Sequence, residues 1–481
     1  MPGVNEDVKR EIKWLNSLML EAQAHFLHVL SKVHSSQFKS ACNLLHYLAL
    51  RNNDIRGLQD KLHEYGLSSL ASSESHIRSQ LLAILNRVDA VIEEAPDITY
   101  ENSKEILKQR STDLFGPCTE TDIPFIMVTF DTSYADDYAT VKNLMESGMN
   151  IARINCSHDN EIIWLGMVEQ VRKASSNTGM SCKIYMDLPG PKIRTYLPKK
   201  KKKKARVKVQ EGDKIYLSEK LLANKKKRMI GCTLPGMTSQ LKEGERVLID
   251  DGMIETRITN VEKDFVQLEV LRVSSRKPFI KSEKGINFPD SQLSIPALTD
   301  HDLKYLSFIQ DHADIVGYSF VHNANELLKL QEAMALKKLP VILKIETSEA
   351  VKNLPDLLFQ GMCEKVFGVM IARGDLAVEI GFERLSEIQE EILWICEAGH
   401  VPVIWATQVL ESLNKSGIAT RAEVTDAAHA IMAECVLVNK GLYTVEVISA
   451  LKDILHRSGR HHAKKRYTFR PLSIAHRFME G

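Results

Sequence analysis

Apolar positions in the first part of the chain recur at the three- and four-residue spacing of amphipathic helices. Two such stretches are Leu15–Val33 and Leu44–Leu58, and a third, Ile77–Ile92, follows a serine-rich turn. No convincing strand pattern interrupts them. The spacing therefore predicts an α-helical extension over residues 1–117, whose aliphatic faces pack as core and carry no chemistry.

After residue 118 short β-rich runs alternate with amphipathic helices, such as Ala324–Leu336, Glu383–Glu397 and Ala422–Ala433. Alternating strands and helices favour a parallel sheet covered by helices, and eight such units are the number in a closed (β/α)8 TIM barrel. An open doubly wound sheet is the alternative. The eight predicted strands are Phe125–Phe130, Asn150–Ser157, Lys183–Leu188, Asp314–Phe320, Val341–Glu346, Val366–Ala372, Val401–Thr407 and Cys435–Asn439.

The interval 196–283 interrupts this alternation with strands separated by turns. We therefore expect a TIM barrel built from residues 118–195 and 284–462, with a small β-barrel lid domain inserted between them. The predicted lid strands are Ala205–Val209, Lys214–Leu217, Arg246–Ile249, Ile254–Ile258 and Phe265–Val270.

Two basic blocks lie in the insert, Lys199–Lys204 and Lys225–Arg228, and residues 463–481 form a basic C-terminal tail. A solvated, self-repelling loop pair is the favoured interpretation of the blocks. Contact of Lys199–Lys204 with nucleic acid or an anionic surface is the less favoured alternative, because no aromatic residues are interleaved with the lysines.

Composition narrows the class of protein. The 481 residues are 44% hydrophobic and 26% charged, which is typical of globular chains, and 63 basic against 62 acidic residues argue against nucleic-acid binding over the whole surface. The eight cysteines form no CxxC pair, which argues against a zinc or disulfide framework. No apolar run approaches the ~18 residues of a membrane span, and no export signal begins the sequence. We expect a cytoplasmic protein.

Polar residues collect at the predicted strand ends. Alternation along the fifth barrel strand places Lys344 and Glu346 on one side, and Glu346 and Asp375 come from adjacent strands. Two carboxylates suit Mg²⁺ better than Zn²⁺, and Gly374 frees backbone N–H groups for an anion. Further cations lie at the same ends: Arg153, Lys192 and Arg194. Cations beside a metal, without a Ser/His/Asp or Cys/His set, indicate phosphoryl transfer.

Eight motifs resemble, in order, those of the pyruvate kinase family. They are Arg153–His158, Asp187–Thr195, Val247–Ile254, Lys284–Pro289, Lys344–Glu346, Ala372–Leu376, Ala406–Ser412 and Thr420–Glu423. The resemblance implies transfer of a phosphoryl group from phosphoenolpyruvate to ADP, giving pyruvate and ATP. It also implies Mg²⁺ as cofactor, with Mn²⁺ as an alternative ion, and a homo-oligomer.

The resemblance further implies a role for each matching residue. Lys344 would steady the phosphoryl group, Arg153 would bind the phosphate of phosphoenolpyruvate, and Thr407 would bind the pyruvate carboxylate. That carboxylate would also contact the backbone of Ala372, Gly374 and Asp375. Glu346 and Asp375 would bind the metal, and Asp251 would close the lid over the site. The nucleotide would face Asn155, His158, Arg194, Lys284 and Lys440.

Some positions distinguish this chain within the resemblance. Lys192, together with Leu188, resembles the K⁺-independent members, in which the ammonium replaces the bound K⁺. Thr129–Tyr134 replaces a Gly-Pro turn, Leu437–Gly441 is three residues shorter than the family's loop, and nothing matches the C-terminal regulatory domain. Two alternatives therefore stay open: a catalytically weakened Mg²⁺-dependent binder of phosphoenolpyruvate or a 2-oxoacid, and a metal-dependent pyruvate lyase.

Overall fold

The structure is a computed structural model, which describes residues 6–88, 95–118, 120, 122–197, 206–221, 228–274, 278–459, 462–463 and 466–467. Lys199–Lys204, Lys225–Lys227 and most of the 463–481 tail lie outside the described residues, so the predictions about the basic blocks stay predictions. Among the helices that the structure describes, none is long and apolar enough to cross a membrane.

Strands and helices alternate through most of the chain. In chain order the strands are β1 (Phe125–Thr129), β2 (Ile151–Asn155), β3 (Lys183–Asp187), β4 (Thr195–Tyr196), β5 (Arg206–Lys208), β6 (Lys214–Ser218), β7 (Met229–Cys232), β8 (Arg246–Ile249), β9 (Ile254–Val261), β10 (Val266–Val273), β11 (Phe279–Lys281), β12 (Ile286–Asn287), β13 (Ile315–Tyr318), β14 (Val341–Ile345), β15 (Phe367–Ala372), β16 (Val403–Ala406), β17 (Cys435–Val438), β18 (His462–Ala463) and β19 (Arg466–Tyr467).

The helices are, in the same order, α1 (Glu6–His25), α2 (Leu27–Leu30), α3 (Phe38–Arg51), α4 (Arg56–Glu64), α5 (Ile77–Val88), α6 (Tyr100–Phe115), α7 (Tyr138–Ser147), α8 (Glu161–Thr178), α9 (Met237–Gln240), α10 (Asp300–His312), α11 (Ala324–Ala333), α12 (Ser348–Lys352), α13 (Leu354–Gly361), α14 (Arg373–Ile380), α15 (Leu385–Ala398), α16 (Glu411–Ser416), α17 (Arg421–His429) and α18 (Thr444–Gly459).

Eight parallel strands close into a barrel in the order β1, β2, β3, β13, β14, β15, β16 and β17. All eight predicted barrel runs are strands of this sheet, so the predicted TIM barrel is confirmed and the open sheet is wrong. Each observed strand is shorter than its predicted run. Asn150–Ser157, for example, ends as a strand at Asn155, whose side chain accepts a hydrogen bond from the Ser157 backbone N–H and begins the turn.

The insert is a separate sheet of seven strands in the order β12, β8, β9, β10, β6, β7, β4, forming the nearly closed lid barrel. Its core consists of its own aliphatic residues, among them Ile215, Val247, Ile254 and Leu268. The five predicted strands are all present. Four further strands, β4, β7, β11 and β12, were not predicted. These pieces have two to four residues, too few for an alternating pattern to stand out.

The described part of the N-terminal extension consists of helices joined by turns, and its apolar faces join the large core that covers the barrel. The C-terminal end of α6, which the sequence pattern did not single out, reaches the base of the barrel. Leu114 and Phe115 of α6 belong to the cluster inside the barrel, with Met127, Ile342 and Met370. The extension therefore closes the end of the barrel opposite the carboxyl ends of the strands.

Arg110 fastens this extension to the barrel. Its guanidinium is buried and donates hydrogen bonds to the carbonyls of Gly399 and His400 at 2.8 and 3.0 Å, and to the Ser40 hydroxyl at 2.8 Å. Burial lowers the pKa of Arg110 to about 10, so the group stays charged at neutral pH. It links α6, α3 and the loop after α15.

We expect Arg110→Met to lower the free energy of unfolding by about 3 kcal/mol, because several buried acceptors lose a charged donor at once. Urea unfolding followed by circular dichroism measures the change. Arg56→Met is the control: Arg56 forms an exposed pair with Asp54 and should matter little. Equal effects of the two substitutions would contradict the role given to Arg110.

Candidate active site

The carboxyl ends of the barrel strands bring the predicted polar residues to one edge of the sheet. Along β14, Lys344 and Glu346 project to the same side, as alternation predicted, and the Lys344 ammonium lies 3.1 Å from Glu346 Oε1. The Ser319 hydroxyl accepts a hydrogen bond from Lys344 at 2.8 Å. Lys344 is only 8% exposed and Glu346 only 3%. A buried lysine and glutamate thus share the barrel mouth.

Asp187 at the end of β3 is the second buried carboxylate of this mouth, 1% exposed. Arg153 reaches it from β2, with Nε at 2.7 Å and Nη2 at 2.5 Å from Oδ2. Lys344 Nζ lies 3.6 Å from Oδ1. Burial alone would raise the pKa of Asp187, but the charges of Arg153 and Lys344 hold it below its ordinary value. Asp187 therefore stays ionised between two cations.

The carboxylate Glu346 is in the opposite electrostatic situation. Burial raises its pKa, the charge of Lys344 counteracts the rise, and the negative charge of Asp375 adds to it. One of its oxygens accepts a hydrogen bond from the Phe320 backbone N–H at 2.8 Å. A carboxylate whose charged form is disfavoured near a second carboxylate is a place where a divalent cation would be stabilising.

Asp375 lies in the first turn of α14, directly after β15. Both of its oxygens contact the ammonium of Lys192, at 2.8 and 2.9 Å. Lys192 thereby places a fixed positive charge beside the two predicted metal ligands. No cluster of three or more His, Cys, Asp or Glu side chains suited to a metal occurs within the described ranges. Glu346 and Asp375 alone still fit Mg²⁺, which commonly takes one or two carboxylates and completes its shell with water and substrate oxygens.

Thr407 follows β16 in a left-handed backbone conformation, with φ of 68°. Arg373 holds this turn by donating to the carbonyls of Ala406 and Thr407 at 2.8 and 2.5 Å, and it is itself ion-paired with Asp426. The Thr407 hydroxyl is buried and has no hydrogen-bond partner among the described residues. Such a hydroxyl still has a hydrogen bond to give, and an oxygen of a bound ligand is one partner that would satisfy it.

Gly374 faces this hydroxyl from the start of α14. A side-chain carbon at position 374 would lie 3.7 Å from Thr407 Cγ2, so the glycine leaves a space between the helix N-terminus and Thr407. The first turn of α14, whose backbone N–H groups have no partner within the helix, therefore faces the orphaned hydroxyl.

The comparisons with known proteins identify a family. The family described as pyruvate kinase, barrel domain, matches residues 124–447. A pyruvate kinase of Encephalitozoon cuniculi is 33% identical over 334 residues, which is 68% of this chain and 73% of that protein. The chain belongs to the pyruvate kinase family.

Two further relatives are bacterial. The pyruvate kinase of Staphylococcus saprophyticus is 31% identical over 65% of this chain, and that of Geobacillus stearothermophilus is 32% identical over 66%. In both cases the match covers 53% of the relative. The chain thus spans about half the length of these bacterial pyruvate kinases. Members of the family typically use Mg²⁺, which suits the pair Glu346 and Asp375.

Four of the five residues expected to face the nucleotide are neighbours: the His158 backbone N–H donates to the Asn155 carbonyl at 3.1 Å, and the charges of Lys440 and Arg194 act on His158. Burial lowers the pKa of His158, and the nearby charges of Lys440 and Arg194 lower it further. Lys440 Nζ is 3.1 Å from Asp131. The carboxylate therefore offsets a cation on this side of the mouth.

The Asn155 side chain, Lys284 and the lid residue have other partners. Asn155 turns its side-chain oxygen to the Ser157 N–H, and Lys284 forms an ion pair with Asp250 of the lid at 2.8 Å. Asp251, expected to close the lid, is exposed and adopts φ of 56° in the turn between β8 and β9. The Lys284 side chain thus contacts the lid.

Asp187, Ser319 and Arg373 each contact a predicted site residue, although no role was expected for them. Asp187 and Arg373 belong to motifs that resemble the pyruvate kinase family, and each lies at the end of a barrel strand. That position was the sequence signal that could have assigned them to the site. Ser319 had no comparable signal, because one serine after a buried strand is common.

Proposed function

We propose that this chain is a pyruvate kinase that transfers the phosphoryl group of phosphoenolpyruvate to ADP, with Mg²⁺ bound by Glu346 and Asp375. The observation that carries the proposal is the buried Lys344 ammonium, held by Ser319 and Glu346 in a mouth that also contains the orphaned Thr407 hydroxyl. A cation that offsets phosphoryl charge, carboxylates that bind a metal ion, and hydrogen-bond donors for a carboxylate are what the binding and transfer of an enol phosphate require.

Each residue has a part in the proposed transfer. The Thr407 hydroxyl and the first N–H groups of α14 bind the carboxylate of phosphoenolpyruvate, and Arg153 binds its phosphate. The bond between phosphorus and the enol oxygen breaks as a β-phosphate oxygen of ADP forms the new one, and the released enolate takes up a proton at carbon to become pyruvate. Lys344 offsets negative charge on the phosphoryl oxygens during this displacement. Bound Mg²⁺ would offset charge on the phosphate and carboxylate oxygens.

A coupled assay tests the proposal. Pyruvate formation from phosphoenolpyruvate should require both Mg²⁺ and a nucleoside diphosphate, and ADP, GDP, UDP and CDP are compared. Protection of the fold by phosphoenolpyruvate without turnover at any nucleotide would contradict it, as would aldehyde-dependent consumption of pyruvate, the sign of a lyase.

A catalytically weakened binder is the second candidate, favoured by one observation. Asp131 pairs with Lys440 on the nucleotide side, where phosphates would otherwise meet that cation. Calorimetric binding of phosphoenolpyruvate with Mg²⁺, together with undetectable ADP binding, would support this candidate over the kinase.

We expect turnover to change less than about twofold when K⁺ replaces choline at constant ionic strength, because the Lys192 ammonium already supplies a fixed +1 charge beside Asp375. Lys192→Gln should lower turnover, whereas Lys415→Gln, at an exposed ion pair on α16, should not. A strong rise in wild-type turnover on adding K⁺ would contradict the role of Lys192.

The proposal also includes assembly as a homo-oligomer and a cytoplasmic location, as the family resemblance implies. Sedimentation velocity tests the first, since a single species with the mass of one chain at micromolar concentration would contradict it.

A further inference from the structure

Tyr185 is a fully buried tyrosine on the inner face of β3, inside the barrel core. Its hydroxyl donates a hydrogen bond of 2.5 Å to Asp187 Oδ1. Burial, and then the charge of Asp187, raises the pKa of Tyr185, so that the hydroxyl keeps its proton. Gly317 on the neighbouring strand provides the room, because a side-chain carbon there would overlap both the Tyr185 hydroxyl and the Asp187 carboxylate.

The two oxygens of Asp187 therefore serve different partners. Oδ2 receives two donors of Arg153, at 2.7 and 2.5 Å. Oδ1 receives the Tyr185 hydroxyl, while Lys344 Nζ stays 3.6 Å away from that oxygen. The same ammonium is closer to Ser319 and to Glu346, at 2.8 and 3.1 Å. Lys344 is thus directed toward the predicted metal ligand rather than toward Asp187.

We propose that Tyr185 is a positioning residue, which keeps Lys344 directed at Glu346 and the phosphoryl site by occupying Asp187 Oδ1. Without the hydroxyl, that oxygen would attract the nearest donor, and an ammonium paired with a carboxylate settles at about 2.8 Å. Lys344 would move toward Asp187 and away from Glu346. The inference rests on the proposed phosphoryl transfer and adds to it a residue that does not touch the substrate.

Tyr185→Phe tests this role, since the ring that fills the core is kept. We expect kcat to fall about tenfold, because a displacement of less than about 1 Å of the Lys344 ammonium is enough to slow phosphoryl transfer. The KM for phosphoenolpyruvate should stay within about twofold, since Arg153 keeps both of its bonds to Asp187. A purely structural role would instead lower the unfolding midpoint without this separation of kcat from KM.

Tyr318→Phe is the matched control. Tyr318 lies on the adjacent strand β13, is equally buried, and belongs to the core between barrel and helices. Its hydroxyl makes one long contact of 3.4 Å with the Glu326 carbonyl. The control should keep wild-type kcat, and an equal fall in kcat for both tyrosine variants would overturn the proposal.

Ser319→Ala provides a second variant, because it removes the other neutral partner of Lys344. It should give the same fall in kcat at nearly constant KM, and wild-type kcat in both Ser319→Ala and Tyr185→Phe would overturn the proposal. Crystal structures of wild type and Tyr185→Phe give a readout independent of turnover. The distance from Lys344 Nζ to Asp187 Oδ1 should shorten in the variant, and an unchanged distance overturns the proposal.

The two proposals can fail separately. If the wild-type chain forms no pyruvate with any nucleoside diphosphate, but Lys344 moves toward Asp187 in crystals of Tyr185→Phe, then the kinase proposal fails and the positional role of Tyr185 stands. If wild type is active while Tyr185→Phe is indistinguishable from it in kcat and in the Lys344 distance, only the inference about Tyr185 fails.

Discussion

Lys344→Met should reduce turnover by about a thousandfold while the barrel remains folded. Methionine keeps the length of the side chain and removes the charge. The Lys344 ammonium is a buried cation, and it lies 3.1 Å from the carboxylate of Glu346. Removing one preorganised charge-stabilising group from an active site costs about 10²- to 10³-fold, and more where a cation stabilises a transferring phosphoryl group. The coupled pyruvate assay measures the loss.

The fold should tolerate Lys344→Met because both carboxylates keep other partners. Asp187 retains Arg153 and the Tyr185 hydroxyl, and Glu346 retains the Phe320 N–H. Since the pKa of Glu346 is already raised by burial, losing Lys344 favours its protonated form still more. The stability deficit of the variant should therefore shrink as the pH is lowered, because a protonated Glu346 needs no cation. Thermal unfolding at several pH values measures this trend.

Lys338→Met is the control for this experiment. Lys338 forms an ion pair with Glu364 and is mostly exposed, so its loss should leave turnover and stability unchanged. Turnover of Lys344→Met equal to that of the control would discard the proposed mechanism, and a variant that unfolds at every pH would show that the ammonium is needed for the fold.

The residues that meet at the strand ends could largely be predicted from the sequence, whereas most of the individual contacts between them could not. The pairing of Lys344 with Glu346 follows from alternation along β14 alone. The contact of Lys192 with Asp375 joins residues 183 positions apart and depends on how β3 and β15 are placed around the closed barrel. The resemblance named both residues for different roles, but only coordinates show that one neutralises the other.

The register between β2 and β3 explains why the contact of Arg153 with Asp187 was not predicted either. In the barrel, Asn155 is paired with Asp187 and Arg153 with Tyr185, so the long arginine side chain leans along its strand to reach the carboxylate. Nothing in the sequence of β2 or β3 fixes that register. The helix α6 was missed for a different reason: the buried cation Arg110 interrupts its apolar face, and an apolar spacing rule counts such a position as exposed.

Thr407→Val should lower activity and raise stability at the same time. Valine keeps the branched shape of threonine, so the cost of φ at 68° is nearly the same for both residues. What changes is the hydroxyl, which is buried without a partner among the described residues. Removing it should stabilise the ligand-free protein by up to about 1 kcal/mol, because an unsatisfied polar atom no longer has to be buried.

The same substitution removes a donor to the carboxylate of phosphoenolpyruvate, and we expect kcat/KM to fall about 10- to 100-fold. Thr299→Val is the matched control: the Thr299 hydroxyl caps α10 by accepting the Asp302 N–H, so its loss should cost about 1 kcal/mol and leave activity intact. The two substitutions thus have opposite expected effects on stability, and only Thr407→Val is expected to lower activity. A Thr407→Val variant that is less stable than wild type, or as active, would show that its hydroxyl is satisfied in the protein and is not reserved for a substrate.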